Sequence, residues 1–316
     1  MLVGGKDSKT ALGIAGEPRV HALDTGNSEP LIRRIAIVGL GLLGGSWGLA
    51  LKRTGFTGSV VGYARRAETR ERAMAEGAID EQFADPCQAV QGADLVILAT
   101  PVAVILDHLA RLRPHFAPAA LVTDVGSTKR RICARAAELY EDRPLFLGGH
   151  PMAGKERSGL ENADARLLEN ARYVLTPLRP AHLDDPRVKA FRDLVLTVGA
   201  QPVTIDPADH DVAVAYLSHL PQLLSSALAS LVEEKQTAEG LPLQLAASGF
   251  RDLTRLAESP YSVWRDICLT NSENIQSALD ALIQKLEFIR MHLGDRELER
   301  EFLAANQLRH RLREMS

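Results

Sequence analysis

The stretch Ile35-Ala36-Ile37-Val38-Gly39-Leu40-Gly41-Leu42-Leu43-Gly44-Gly45-Ser46-Trp47-Gly48 decides the fold of this chain. Residues 35–38 form a short apolar run rich in β-branched side chains, as expected of a strand buried on both faces. Gly39, Gly41 and Gly44 follow as G-x-G-x-x-G, and Leu49, Ala50 and Leu51 continue as a first helix. The spacing fits a strand-turn-helix that holds a dinucleotide. The first glycine makes the tight turn, the second admits a pyrophosphate, and the third lets the helix pack on the strand. The phosphates would lie at the helix N-terminus among unpaired N–H groups. The cofactor contacts are therefore expected along Gly39, Leu40, Gly41, Leu42, Leu43 and Gly44.

Working outward, Ser59–Tyr63 reads as the second strand and Ala67–Glu76 as a helix stopped by Gly77. At the end of the second strand, NAD-binding folds carry an acid for the ribose hydroxyls, whereas arginine accommodates a 2′-phosphate. Here Ala64-Arg65-Arg66 stands in that place, so NADP is expected over NAD. Residues 94–99, 120–125 and 145–147 read as further apolar strands, alternating with helix-length segments. That alternation implies a doubly wound parallel (Rossmann) sheet in the order 3-2-1-4-5-6. Ligands sit beyond the carboxyl ends of such strands. Thr100, Asp124, Ser127 and His150 should then converge, with Thr100 and Asp124 on the cofactor side.

From Asp206 the pattern turns helical, over 212–232, 243–257 and 262–293. Leu279, Leu282, Leu286, Ile289 and Leu293 make a one-sided stripe that needs a partner helix. Leu298, Phe302, Ala305, Leu308 and Leu312 continue it. We expect three segments: a flexible extension over 1–30, a dinucleotide-binding domain over 31–205, and an all-helical substrate domain over 206–316, whose stripe is expected to pair two copies into a homodimer and could equally be satisfied within one chain.

The composition excludes several classes. The 316 residues are 46% hydrophobic and 24% charged, which is ordinary globular usage. A net charge of −3 argues against nucleic acid or an anionic membrane as partner. Cys87, Cys133 and Cys268 are scattered and odd in number, as in a reducing, cytoplasmic setting without a disulfide framework or zinc site. The nine histidines lack metal-type spacing, so no metal is expected. The apolar stretch 212–232 carries His219, Pro221, Gln222 and serines, which suits a buried helix better than a membrane span.

Further motifs carry a resemblance. Asp124-Val125-Gly126-Ser127 precedes His150-Pro151-Met152-Ala153-Gly154-Lys155-Glu156. Then come Asp209-His210-Asp211, Ser218-His219-Leu220-Pro221, Gly249-Phe250-Arg251-Asp252-Leu253-Thr254-Arg255 and Trp264-Arg265-Asp266. In this order they resemble the prephenate and arogenate dehydrogenase family of tyrosine biosynthesis, across about residues 33–293. The resemblance implies oxidative decarboxylation of a 4-hydroxycyclohexadiene dicarboxylate to a phenol, with hydride passing to a nicotinamide. It implies His150 as the catalytic proton acceptor and Ser127 as the hydroxyl that orients it. A neutral imidazole suits that task, its ordinary pKa of ~6.5 lying near working pH.

It also implies His219 as a second substrate-contacting histidine and Arg255 as the carboxylate receiver. Arg251, one helical turn earlier, falls on the same face and is expected to assist. Asp209-His210-Asp211 reads equally as the cap of the long helix. Lys155 departs from the small hydroxyl residue that many relatives carry there. Other readings of the same two-domain plan are a β-hydroxyacid dehydrogenase, an imine reductase, and a non-catalytic dinucleotide sensor.

Overall fold

The β-branched run at Ile35 pairs on both sides, as its apolarity requires. In the computed structural model, which describes residues 30–140, 143–155 and 157–315, it forms the central strand β1 (Arg34–Val38). The expected extension over 1–29 lies outside the described residues. After β1 come α1 (Leu42–Arg53), β2 (Ser59–Tyr63), α2 (Ala67–Ala75), β3 (Glu81–Phe83), the short α3 (Pro86–Ala89) and β4 (Leu95–Leu98). Then follow α4 (Val102–Arg111), β5 (Leu121–Asp124), α5 (Arg130–Leu139) and β6 (Leu145–Pro151). The sheet runs β3-β2-β1-β4-β5-β6, all parallel, so the expected order holds.

Two strands extend it beyond what periodicity suggested. β7 (Arg172–Pro177) joins β6 antiparallel, and β8 (Gln201–Thr204) joins β7 parallel across the helix α6 (Pro186–Thr197). The chain leaves β6 through a loop rather than a crossover helix, and a loop returns a strand antiparallel. Pairing with β7 also lengthens β6, so that His150 sits within the strand opposite Val174.

Alternate residues of each strand feed two cores. Ile35 and Ile37 pack with Trp47, Tyr173 and Phe191 on one face, Ala36 and Val38 with Ile105, Leu109 and Phe146 on the other. Trp47 is fully buried, stacked on Phe191 with its edge against Tyr173. An aromatic so placed contributes about 1.5–3 kcal/mol by burial alone.

Every described element after β8 is helical: α7 (Pro207–Val214), α8 (Leu220–Glu239), α9 (Ser248–Thr254), α10 (Tyr261–Thr270), α11 (Ser272–Met291) and α12 (Glu297–Glu314). A π-helical turn, Ala215–His219, joins α7 to α8. By length and composition Pro207–Glu239 is apolar enough to cross a membrane, at a mean hydropathy of 1.3. Its His210, Asp211, His219 and Gln222 are nevertheless buried within the fold. The segment 262–293, expected as one helix, breaks at Asn271. That side chain turns inward and donates to the Asp211 carbonyl at 2.8 Å. The apolar stripe is only partly covered: Leu279, Leu282 and Ile289 are half-buried, while Leu286, Leu293 and Phe302 are exposed.

Candidate active site

The glycine turn does what its spacing asks. Gly39 adopts φ 108°, and a Cβ there would lie 2.6 Å from the Ala99 carbonyl oxygen. A Cβ on Gly44 would lie 1.9 Å from the Gly39 oxygen, so helix and turn touch through bare backbone. Gly41 faces open space. As N-cap of α1 it supplies no capping side chain, and the first turn carries no acid, leaving its N–H groups for an anion. Thr100 Oγ1 is buried without a partner beside this turn. These features fit a dinucleotide.

Side-chain positions refine the expected contacts. Leu42 and Leu43 line the cleft described below, whereas Leu40 and Ala64 are buried in the core. Arg65 and Arg66 are exposed where β2 ends, and Arg70 holds that turn by donating to the Ala64 carbonyl at 2.8 Å.

A cleft of about 610 Å³ opens at the carboxyl ends of β1, β4, β5 and β6. Thr100, Ser127 and His150 line it from the sheet, His219 and Trp264 from the helices. Asp124 does not. Its carboxylate is fully buried, accepting from Gly126 N at 2.8 Å and Gly149 N at 3.1 Å and pairing with Lys129 Nζ. Lys129, itself fully buried, also donates to the Gly149 carbonyl at 2.7 Å. The pair thus locks the backbone beside Ser127 and His150, and corrects the expectation of a cofactor-binding aspartate.

Among the described residues, the hydrogen-bond partner of the His150 ring is His210 rather than the expected Ser127. His150 Nδ1 lies 2.9 Å from His210 Nε2, and His210 Nδ1 lies 2.8 Å from Asp211 Oδ1. Asp211 caps α5, accepting from Lys129 N at 2.7 Å and Arg130 N at 3.0 Å. Asp206 caps α7, so Asp209-His210-Asp211 is freed from that duty. Burial holds the His150 pKa well below its ordinary range, with His210, Lys129 and His219 adding to the effect. The imidazole is therefore unprotonated at pH 7.

His219 accepts at Nδ1 from Asn271 Nδ2 at 3.2 Å, and the Asn271 oxygen is taken by Asn274. Burial lowers the His219 pKa to about 4, so the ring is neutral with its proton on Nε2. One histidine thus offers an acceptor and the other a donor.

Arg251 and Arg255 are exposed and do not line the cleft of a single chain. The turn that begins at Arg255 is pinned to α8, Gln222 Nε2 donating to the Leu256 carbonyl at 2.8 Å. The cations that do line the cleft are Lys155 and Arg157. Among the described residues no three His, Cys, Asp or Glu side chains are placed to hold a metal ion.

Known proteins resemble this chain along most of its length. Residues 47–204 match the description "Prephenate dehydrogenase, nucleotide-binding domain", and residues 206–307 match "Prephenate dehydrogenase, dimerization domain". The chain is 35% identical to the prephenate dehydrogenase of Bacillus subtilis, over 85% of this chain and 72% of that protein. It is similar to the crystal structure of Aquifex aeolicus prephenate dehydrogenase in complex with hydroxyphenyl propionate and NAD+. The TM-score is 0.79 and the identity 30%, covering 90% of this chain and 99% of that one. The crystal structure of Synechocystis arogenate dehydrogenase matches with a TM-score of 0.73 and 32% identity, covering 88% and 99%.

Proposed function

Because this chain belongs to the prephenate dehydrogenase family, we propose that it oxidises and decarboxylates prephenate to 4-hydroxyphenylpyruvate, with NADP as hydride acceptor. The observation that carries this reading is the opening of a buried, neutral His150 into the same cleft as the glycine turn. A bound nicotinamide supplies the hydride acceptor. His150 Nε2 takes the proton of the ring hydroxyl as the carbonyl forms. Loss of carbon dioxide leaves a phenolate, and His150 returns the proton to it, so the enzyme ends the cycle unchanged. Ser127, on the cleft wall, receives the same hydroxyl, and His219 donates through Nε2–H.

Charge favours prephenate over arogenate. Lys155 and Arg157 line the cleft, and no carboxylate does among the described residues. An oxo-acid side chain meets the attraction of these two cations, whereas the arogenate ammonium meets like charge. Arg255 remains the carboxylate receiver implied by the motif resemblance, acting from outside the single-chain lining. For the nucleotide, the Aquifex protein is described with NAD+. Here Arg65 and Arg66 stand exposed at the end of β2 with no acid beside them, which suits a 2′-phosphate. The exposed apolar faces of α11 and α12 suit a homodimer.

The test is a two-by-two assay of prephenate and arogenate against NAD and NADP. We expect the highest kcat/KM with prephenate and NADP, reduced to the NAD level by Arg65→Ala with Arg66→Ala. No turnover of either cyclohexadiene would overturn the assignment, and a preference for NAD unmoved by the double variant would overturn the nucleotide.

A further inference from the structure

His150, His210 and Asp211 form a file of hydrogen bonds that ends on the first turn of α5. All three are buried, at 8%, 1% and 0% exposure. The positions of the protons follow from counting donors. The Asp211 carboxylate acts as an acceptor, taking the backbone N–H groups of Lys129 and Arg130 on its two oxygens. His210 Nδ1, at 2.8 Å from Oδ1, is then the donor of that bond. A neutral His210 offers Nε2 only as an acceptor. His150 Nδ1, at 2.9 Å, must therefore donate to it. A neutral His150 so fixed has its Nε2 bare, on the ring edge turned away from His210.

We propose that His210 and Asp211 are positioning residues that hold His150 in its Nδ1–H tautomer, and that His210, backed by the Asp211 carboxylate, accepts the His150 Nδ1 proton during turnover. The step balances without a co-reactant. The substrate O–H bond breaks as an N–H bond forms at His150 Nε2. The Nδ1–H bond of His150 breaks as an N–H bond forms at His210 Nε2. His210 is then an imidazolium against the Asp211 carboxylate, the positive charge moved off the residue that contacts substrate. Return of a proton to the phenolate reverses both transfers. The arrangement follows the logic of an aspartate that fixes a base's tautomer, with a second imidazole interposed. Among the described residues, Lys129, itself paired with Asp124, and His219 bear on His150, and the buried Cys133 thiol bears on Asp211. Asn271 ties that side together, donating to both the Asp211 carbonyl and His219.

The kinetic part of the proposal rests on the function proposed above; the tautomer does not. Nitrogen-15 NMR of histidine-labelled protein without substrate, assigned by loss of the His150 signal in His150→Asn, should show neutral His150 with the proton on Nδ1. An Nε2–H tautomer overturns the proposal whatever the substrate proves to be. His210→Gln keeps a carbonyl that accepts from His150 but cannot carry the charge, and its amide end allows either tautomer. In the folded variant kcat should fall about 10–10²-fold, less than the ~10²–10⁴-fold that a whole general base supplies. KM and the cofactor Kd should stay within about twofold of wild type, because His210 is buried behind His150 and does not line the cleft. His150 should show mixed tautomers. A folded His210→Gln with wild-type kcat and an unchanged His150 signal overturns the relay. Should His210→Gln not fold, the wild-type tautomer decides alone.

Discussion

Lys129→Met keeps most of a buried side chain's volume and removes its charge. In the folded protein the side chains of Lys129 and Asp124 are both 0% exposed, and Lys129 Nζ bonds to Asp124 and to the Gly149 carbonyl. With methionine there, Asp124 keeps its two backbone donors, Gly126 N at 2.8 Å and Gly149 N at 3.1 Å, but has no counter-charge. Breaking a buried pair from one side costs about 3–5 kcal/mol. Asp124→Asn strands the lysine's charge and should cost as much. The double variant holds no charge at this site; it deprives one backbone N–H of an acceptor, at about 1–3 kcal/mol, and, like Lys129→Met alone, leaves the Gly149 carbonyl without its lysine donor. We therefore predict a double variant more stable than either single one. The assay is equilibrium urea unfolding of the four proteins as a double-mutant cycle, at one protein concentration. Single variants each within ~1 kcal/mol of wild type, or a double variant that costs the sum of the singles, would refute the reasoning.

Gly44→Ala should fold around a disturbed turn and lose most of its NADP affinity in a fluorescence titration, because its Cβ would sit 1.9 Å from the Gly39 oxygen; an unchanged Kd contradicts the cradle. Lys155→Thr should raise KM for prephenate by up to about fivefold, the ~1 kcal/mol of a partly exposed ion pair, and raise that for arogenate less. An equal rise for both substrates refutes the charge argument. The pH dependence follows from His150. Its pKa is lowered by burial, so the basic form persists as pH falls through the ordinary value of 6.5 and is lost only well below it. The acid limb of kcat/KM should lie below pH 6.5, and an inflection at or above that value contradicts the neutral, desolvated base.

How much was legible in the chain depended on how local the cause was. The glycine turn was, because its tightest contact, Gly44 against the Gly39 oxygen, lies within six residues, although the close approach of Gly39 to the Ala99 carbonyl is long-range. The order of β3-β2-β1-β4-β5-β6 was, because apolar strands alternating with helices admit few topologies. β7 and β8 were not: each has its place only against a neighbour that the loop after β6 brings back. Lys129 reads as a surface residue in sequence, and only the fold shows it enclosed with Asp124. The Asp209-His210-Asp211 segment carried a capping signal, and Asp211 does cap a helix, but it is α5, 81 residues away in sequence from Asp211 at Arg130. Spacing put Arg251 and Arg255 on one turn without showing which way that turn faces. It turns their side chains to solvent in the single chain.

The claim at the centre is that His150 moves the substrate's hydroxyl proton, and one measurement meets it directly: steady-state turnover of prephenate by His150→Asn with saturating NADP. We predict a folded variant with wild-type cofactor Kd and kcat reduced about 10²–10⁴-fold, the contribution of a positioned general base. A folded His150→Asn that turns prephenate over at close to the wild-type rate would contradict it.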